Sequence, residues 1–296
     1  MIERILDISE KPANLRLRNG LLVMQGEGEE AVTMPLEDVA VLVVSNPQVT
    51  FSQAILSGIA ASGGAFVVCN EKHMPVGMLL PLTGNFVQAE RFALQANVPV
   101  PTRKRLWQQV VRAKIKAQAN LLKRLRGNDE GLAALAERVR SGDPQNLEGQ
   151  ASRRYWPALF ARKDFRRDAE AADQNRHLNY GYAVLRAIVA RAICAAGLHP
   201  SLGLHHHNRY DAFCLADDLM EPLRPVVDAA VVHLVRNGGD HIELEREAKT
   251  FLLQALTGRL TIAGESRTLF DVAARCASSL VDVFEGKQGR LLLPEV

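Results

Sequence analysis

The stretch NVPVPTRKRLWQQVVRAKIKAQANLLKRLR, residues 97–126, divides the chain into two parts of different character. It opens with Pro99 and Pro101, which mark a boundary because proline fixes φ and lacks a backbone N–H. The apolar side chains that follow recur at helical spacing: Leu106, Val110, Ala113, Ala117 and Leu121. We therefore expect a long amphipathic helix to begin here, with structure of another kind before it.

The part of the chain before this stretch carries β signals. ANLRLRNGLLVMQ alternates around Asn19-Gly20, a pair that suits a type I′ hairpin turn because both positions tolerate φ > 0. Residues 39–44 and 64–69 are short apolar runs of buried-strand length, and residues 75–82 predict another strand. Between the two apolar runs we expect a helix capped by Thr50.

The part after the stretch has helical periodicity almost throughout. GDPQNLEGQASRRYWPALF predicts a helix with Asp143 as its N-cap. YGYAVLRAIVARAICAAG is apolar nearly all round, which predicts a buried central helix ended by Gly197. Three more helices are expected over residues 228–235, 243–256 and 269–284. The predicted fold class is α+β: a small β-rich N-terminal domain, residues 1–98, and a larger all-α C-terminal catalytic domain, residues 99–296.

Composition limits the class of protein. The 296 residues are 47% apolar, which is enough for a sizeable core, and no uncharged apolar run reaches the ~18 residues that a membrane span needs. None of the four cysteines forms a C-x-x-C pair, so reduced thiols and a cytoplasmic location without membrane contact are expected.

Positive charge is concentrated in one place. Residues 103–128 contain nine Lys or Arg and no acid, although the net charge of the whole chain is only +3. Such a local basic face favours a polyanionic partner, and a solvated helix face is the alternative.

The stretch GLHHHNRYDAFCLADDLMEP, residues 203–222, places three histidines ahead of Asp217, Asp218 and Glu221. Asp217 and Glu221, or Asp218 and Glu221, share a face of a helix and could hold a hard divalent ion. The commoner alternative is that Asp217 or Asp218 caps the helix. Three consecutive histidines cannot all bind one ion, because neighbouring side chains diverge. Glu148 is either an acid favoured by a helix dipole or a distant third ligand.

Three motifs together resemble one family. They are EGQASRRYW from Glu148, LNYGYAVL from Leu178, and H-x-N-x-x-x-x-F-x-L-A-D-D-L-M-E-P-x-R-P-x-V-D from His206 to Asp228. In this order they resemble the CRISPR-associated integrase, the catalytic subunit of the spacer-adaptation complex, and the third motif is closest to the type II branch. The likeness spans nearly the whole chain.

The resemblance implies a divalent-metal-dependent DNA strand transferase and endonuclease. The family's metal-binding and catalytic Glu, His and acid match Glu148, His206 and Glu221, with His205 and His207 flanking the histidine and Asp218 as a supporting acid. Mg²⁺ or Mn²⁺ is the implied cofactor. In the implied reaction, the 3′-hydroxyl of a captured duplex attacks a phosphodiester at the leader–repeat junction.

The resemblance also implies partners. Double-stranded DNA is expected against basic side chains, whose contacts position the duplex without reading its sequence. The chain is expected to form a homodimer through its N-terminal domain, and two dimers are expected to flank a dimer of a small ferredoxin-like protein in a heterohexamer. The predicted DNA-binding residues are Arg103, Lys104, Arg112, Lys116, Lys123, Arg153, Arg162, Lys163 and Arg166.

Two other functions stay open from the residues alone. A non-catalytic DNA-binding scaffold would bind DNA without regard to metal, and a stand-alone metal-dependent nuclease would use water in place of a 3′-hydroxyl. The aromatic residues Trp107, Tyr155 and Trp156 either pack in the core, as is commoner, or stack on splayed DNA ends.

Overall fold

A computed structural model describes residues 3–70, 75–81, 83–168, 170–171, 173–238 and 243–295. The first part of the chain contains β1 (Arg4–Ile8), β2 (Ala13–Arg18), β3 (Leu21–Gly26), β4 (Val32–Pro35), β5 (Val39–Val44), β6 (Thr50–Phe51), α1 (Gln53–Ala61), β7 (Ala65–Cys69), β8 (Pro75–Leu79) and α2 (Gln88–Ala96).

The second part is dominated by helices. It contains α3 (Val100–Arg126), α4 (Leu132–Glu137), α5 (Leu147–Phe160), α6 (Asn175–Ala195), α7 (Cys214–Met220), a 3-10 turn (Glu221–Leu223), α8 (Arg224–Gly238), α9 (Arg246–Leu256), β9 (Arg259–Ile262), β10 (Glu265–Thr268) and α10 (Leu269–Phe284).

The first part is built from two four-stranded sheets. In one sheet β1, β5 and β7 are parallel and β8 pairs antiparallel with β7, in the order β1-β5-β7-β8. In the other sheet the order is β4-β3-β2-β6, and the β2–β3 hairpin turns at Asn19 (φ 51°) and Gly20 (φ 77°), which confirms the predicted type of turn.

The sheet that contains β5 is the middle layer of the protein. Along β5, Val41 and Val43 belong to the large core shared with the helices, while Leu42 and Val44 belong to a smaller core under the second sheet. Both faces of the strand are therefore buried, which explains why its sequence is uniformly apolar and does not alternate.

Helix α6 lies at the centre of the second part, and most of its residues are buried, as its apolar sequence predicts. A Cβ at Gly181 would lie 2.4 Å from Val227 Cγ1 of α8, so only glycine allows these two helices to approach so closely. This contact holds α8 and the turn before it against α6.

The predicted α+β class is confirmed, with three local differences. Strands β9 and β10 form a hairpin among the expected helices, because Ala263 and Gly264 adopt left-handed φ values and reverse the chain. Thr50 lies in a strand and Ser52 is the N-cap of α1. The predicted strand over residues 75–82 ends at Leu79, and residue 82 lies outside the described ranges.

The division at residue 98 stays a prediction, since the large core contains side chains from both sides of it. Helix α2, which lies before residue 98, also contacts the second part: the Arg91 guanidinium donates to Ala196 O (2.8 Å), and the Gln95 side-chain amide donates to His199 O (2.9 Å). Among the described helices none is both long and apolar enough to cross a lipid bilayer.

Candidate active site

The turn before α5 fixes the position of Glu148. The predicted N-cap, Asp143, is wrong: the helix begins at Leu147, and Asn146 is the N-cap. Asp143 and Asn146 both have positive φ, which an α-helix does not allow, so α5 cannot extend back through Asn146 to Asp143. The Asp143 carboxylate still accepts hydrogen bonds from the N–H groups of Leu147 (2.9 Å) and Glu148 (3.0 Å), which holds Glu148 in the first turn.

The two adjacent aspartates of the 203–222 stretch cap no helix. Helix α7 begins at Cys214 after Phe213, and its N-cap makes no side-chain hydrogen bond, so the capping interpretation is wrong. Asp217 instead receives two hydrogen bonds from Arg186, at 2.6 and 2.9 Å. Asp218 points the other way and is fully buried. The two carboxylates therefore have separate partners.

Asp218 organises the histidine segment. Its Oδ2 accepts the backbone N–H groups of Leu204 (2.6 Å) and His205 (3.0 Å), and its Oδ1 lies 2.6 Å from His206 Nδ1. Since a carboxylate only accepts, the proton belongs on Nδ1, and Nε2 is left with a free lone pair. This hydrogen bond raises the pKa of His206, although burial opposes the charged imidazolium.

The three histidines have different environments. His205 stacks on Trp107, with ring centroids 4.3 Å apart, and burial lowers its pKa. His207 is exposed, and its Nδ1 lies 2.6 Å from His205 O. His206 alone of the three lines the cavity described below. The geometry therefore favours His206 over its neighbours as the functional histidine.

Lys114 joins the two predicted glutamates. Its Nζ lies 2.5 Å from Glu148 Oε1 and 2.6 Å from Glu221 Oε2, and its side chain is 8% exposed. Glu221 Oε1 also accepts a 2.7 Å hydrogen bond from Arg224 Nη1. Burial would raise the pKa of Glu221, but Arg224 and Lys114 outweigh it and hold that pKa at about 2. Glu221 is therefore an anion at neutral pH.

These residues open onto one basic cavity of about 430 Å³. Glu148, His206 and Glu221, which lie far apart in sequence, all line it. The cations around them outnumber the acids, so the cavity suits a phosphate-bearing ligand. The basic residues that line it are Lys114, Arg153, Arg166, Arg167 and Arg224.

A second buried acid, Asp228, lies in the same cavity wall. It accepts a 2.6 Å hydrogen bond from Tyr155 Oη and another from Tyr182 Oη. Burial raises the pKa of Asp228 to about 6, although these two hydrogen bonds and Arg224 act in the opposite direction. The Arg224 guanidinium lies 4.2 Å from the centre of the Tyr182 ring, so this network supports the arginine that contacts Glu221.

The predicted DNA-binding residues fall on more than one surface. Arg153 and Arg166 line the cavity, whereas Arg112 donates to Glu137 O (3.2 Å) and Lys116 pairs with the Glu137 carboxylate (2.7 Å) outside it. Arg162 pairs with Asp164. Four others are at least partly exposed and do not line the cavity: Arg103, Lys104, Lys123 and Lys163.

Sequence reasoning missed the specific roles of Lys114, Tyr182, Arg224 and Asp228. Three of these positions lie inside the quoted motifs, so the motifs themselves carried the signal. Lys114 was counted only as one of nine cations. Trp107 and Tyr155 are buried core residues, as expected, while Trp156 lines the cavity.

The donor set is suited to a hard divalent ion, with two carboxylates and one imidazole facing one cavity. Across the described ranges, however, no three His, Cys, Asp or Glu side chains are grouped closely enough to hold a metal as they stand. The reason is visible in the site, since the Lys114 ammonium lies between the two glutamates. An ion bound by both glutamates therefore requires Lys114 to move aside.

The fold and the site together define a class of protein. An acidic centre with a histidine, set in a basic cavity on a helical body, is typical of enzymes that act on nucleic-acid phosphodiesters. Residues 6–257 match the family model described as "CRISPR associated protein Cas1". The chain belongs to the Cas1 family, which confirms the family predicted from the three motifs.

Individual relatives agree with this assignment. The chain is 38% identical, over 95% of its length and 93% of the relative's, to the "CRISPR-associated endonuclease Cas1" of Neisseria meningitidis serogroup C (strain 8013). A solved "Casposase bound to integration product" has a similar fold, with a TM-score of 0.79 at 18% identity over 97% of this chain and 92% of that one. The "Cas6-RT-Cas1--Cas2 complex" gives 0.77 at 17% identity over 97% of this chain and 35% of that one.

Proposed function

We propose that this chain is the catalytic integrase and endonuclease of CRISPR adaptation, which inserts captured foreign DNA as new spacers at the leader–repeat junction. The observation that carries the proposal is the convergence of Glu148, His206 and Glu221 on one basic cavity. The Cas1 relative from Neisseria meningitidis is named an endonuclease, and the casposase of similar fold was solved bound to an integration product. Both names support the same class of chemistry for this chain.

In the proposed reaction, a 3′-hydroxyl oxygen attacks the phosphorus of the target strand. A new P–O bond forms, the bond to the displaced 3′-oxygen breaks, and the proton of the attacking hydroxyl moves to the displaced oxygen through solvent or the site. The arginines Arg153, Arg166 and Arg167 line the cavity where phosphate charge would lie. They act by positioning and neutralising the phosphate groups.

The proposed cofactor is Mg²⁺ or Mn²⁺, held by Glu148, Glu221 and Nε2 of His206. When bound, such an ion supplies Lewis-acid polarisation of the phosphoryl oxygen and lowers the pKa of the attacking hydroxyl. Asp218 fixes the ring orientation and tautomer of His206, so that Nε2 is available as a donor.

The proposed partners are double-stranded DNA, a second copy of the chain, and a small ferredoxin-like protein in a heterohexamer. The solved structure named "Cas6-RT-Cas1--Cas2 complex" supports a protein partner. The proposed location is the cytoplasm, which fits four free cysteines.

The test is strand transfer on a branched DNA that mimics a half-integrated spacer, with Mg²⁺, Mn²⁺ or a chelator. His206→Ala and Glu221→Ala are expected to abolish metal-dependent rejoining, while His207→Ala, the matched control on the next residue, keeps it. Binding without any metal-dependent product would contradict the proposal in favour of a scaffold. Cleavage by water without rejoining would favour a stand-alone nuclease.

A further inference from the structure

A second basic concavity, of about 690 Å³, lies on another side of α3. Arg105 and Arg112 contribute to it from α3, and Arg138 and Arg140 contribute from the segment after α4. We name these four residues the outer arginine surface. None of them lines the candidate active-site cavity.

Helical geometry separates this surface from the candidate site. Arg105 and Arg112 are seven residues apart, close to two turns, so they share one face of α3. Lys114 is nine residues from Arg105, which is two and a half turns, and therefore projects from the opposite face. Helix α3 thus contributes Lys114 to the candidate active-site cavity on one side, and Arg105 and Arg112 to the outer arginine surface on the other.

The outer arginine surface is held in place by hydrogen bonds to backbone carbonyl groups. The Gln108 side-chain amide donates to Val139 O (2.7 Å), and the Gly142 backbone N–H donates to Lys104 O (2.9 Å). Gly142 has a φ of 76°, and a Cβ there would lie 3.1 Å from Lys104 Cγ, so the turn needs glycine. The segment that bears Arg138 and Arg140 is therefore fixed against α3.

The two arginines that follow α4 are available to a ligand. Within the described part of the chain, Arg138 and Arg140 form no ion pair and no side-chain hydrogen bond, and both are exposed. The acid that lines the concavity is Glu137, and Lys116 already pairs with its carboxylate at 2.7 Å. Four guanidinium groups around one neutralised acid suit phosphate oxygens, which planar guanidinium binds in a bidentate manner.

We propose that the outer arginine surface binds the phosphate backbone of duplex DNA at a position separate from the candidate active site. The proposal rests on the proposed function, because it assumes that DNA already occupies the cavity on the other side of α3. A duplex long enough to pass from one face of this helix to the other makes both contacts, and a short one makes only the first. The outer contacts add affinity without sequence preference.

The test compares three double variants of equal charge change: R138Q/R140Q, R153Q/R166Q in the cavity, and R267Q/R275Q as a control. Arg267 and Arg275 already lie within 2.7 and 3.7 Å of Glu265. Dissociation constants are measured for duplexes of about 10 and 30 base pairs over a range of salt concentrations, in chelator, so the result does not depend on catalysis.

For R138Q/R140Q, we expect about tenfold or more weaker binding of the long duplex, and a salt slope smaller by about two. The affinity for the short duplex should stay near that of the native chain. R267Q/R275Q should change neither. An unchanged salt slope on the long duplex would overturn the proposal, as would a loss confined to binding of the small protein partner. Failure of the integrase proposal would instead show as absent strand transfer, whatever these binding results are.

Discussion

Glu221 and Asp228 are buried carboxylates seven residues apart, but their surroundings give them opposite protonation behaviour. Glu221 lies between Lys114 and Arg224, and its pKa is held at about 2. Asp228 accepts two tyrosine hydroxyls, and burial raises its pKa to about 6. Full charges compensate for the loss of water around a carboxylate, and hydroxyl groups do so only partly. The first acid is thus a permanent anion suited to cations, and the second is a structural anchor.

Replacing each acid by its amide is the strongest test of whether Glu221 and Asp228 have different roles. Glu221→Gln should lower strand transfer by on the order of 10³-fold, because it removes the anion proposed to hold the metal ion. Asp228→Asn keeps the shape of the tyrosine network and should stay within about tenfold of the native rate. Single-turnover assays on branched DNA measure both. Equal losses in the two variants would show that the acids do not have different roles.

Removing the cation between the glutamates tests what maintains the ionic centre. Lys114→Met leaves two carboxylates without their shared partner and should destabilise the fold by about 3–5 kcal/mol. Lys116→Met, two positions along the same helix and exposed, should change stability by less than about 0.5 kcal/mol. Urea unfolding followed by circular dichroism measures both.

The same variant reports on metal binding without any assay of activity. Mn²⁺ should raise the melting temperature of Lys114→Met more than that of the native chain, since the ion no longer has to displace an ammonium group. If Mn²⁺ has no effect on the stability of either protein, the two glutamates are not metal ligands.

The pH dependence of stability tests the raised pKa of Asp228 directly. Its folded-state pKa of about 6 lies above the ordinary 3.8, so the folded chain holds this proton more tightly than the unfolded chain does. The resulting stability is present below about pH 4 and is lost as the pH rises to about 6, by up to about 3 kcal/mol. Unfolding free energies of the native chain minus those of Asp228→Asn should show this slope. A flat difference would mean that the pKa of Asp228 is the same in the folded and the unfolded chain.

Asp218 extends the comparison to a third buried carboxylate. Its partners are backbone amides and the His206 ring, and no Lys or Arg side chain pairs with it within the described residues. Asp218→Asn should lower strand transfer by about 10–100-fold, because the tautomer of His206 is no longer fixed. His206 titration followed by NMR should show a lower pKa in this variant. Lost activity with an unchanged imidazole pKa would contradict the orienting role.

The sequence was most informative where local pattern decides structure. The Asn19-Gly20 turn, the apolar β5 strand and the buried α6 helix all follow from neighbouring residues. The hairpin turn at Ala263 and Gly264 was missed, because alanine is a weak signal for a left-handed backbone. Asp143 was predicted as the N-cap because Pro144 follows it, but the helix begins four residues later at Leu147. The Asp143 carboxylate nevertheless accepts two N–H groups of the first turn.

The candidate site was predictable only in part. Glu148, His206 and Glu221 could be named from motifs, and the structure brings all three to one cavity. The role of Lys114 depends on two partners that lie 34 and 107 positions later in the chain, and no local spacing reveals such a meeting. Asp218 lies among three neighbouring acids in the sequence, and only the direction of its side chain shows that it contacts His206.

The ion pairs of Lys114 also tie the candidate site to synthesis of most of the chain. Here the reactive centre is divided among α3, α5 and the turn before α8, and none of these carries more than one of the three charged groups. A chain still emerging from the ribosome has Lys114 and Glu148 before Glu221 has been synthesised. The candidate site therefore forms only after the chain has been made as far as Glu221 and its helices have packed together.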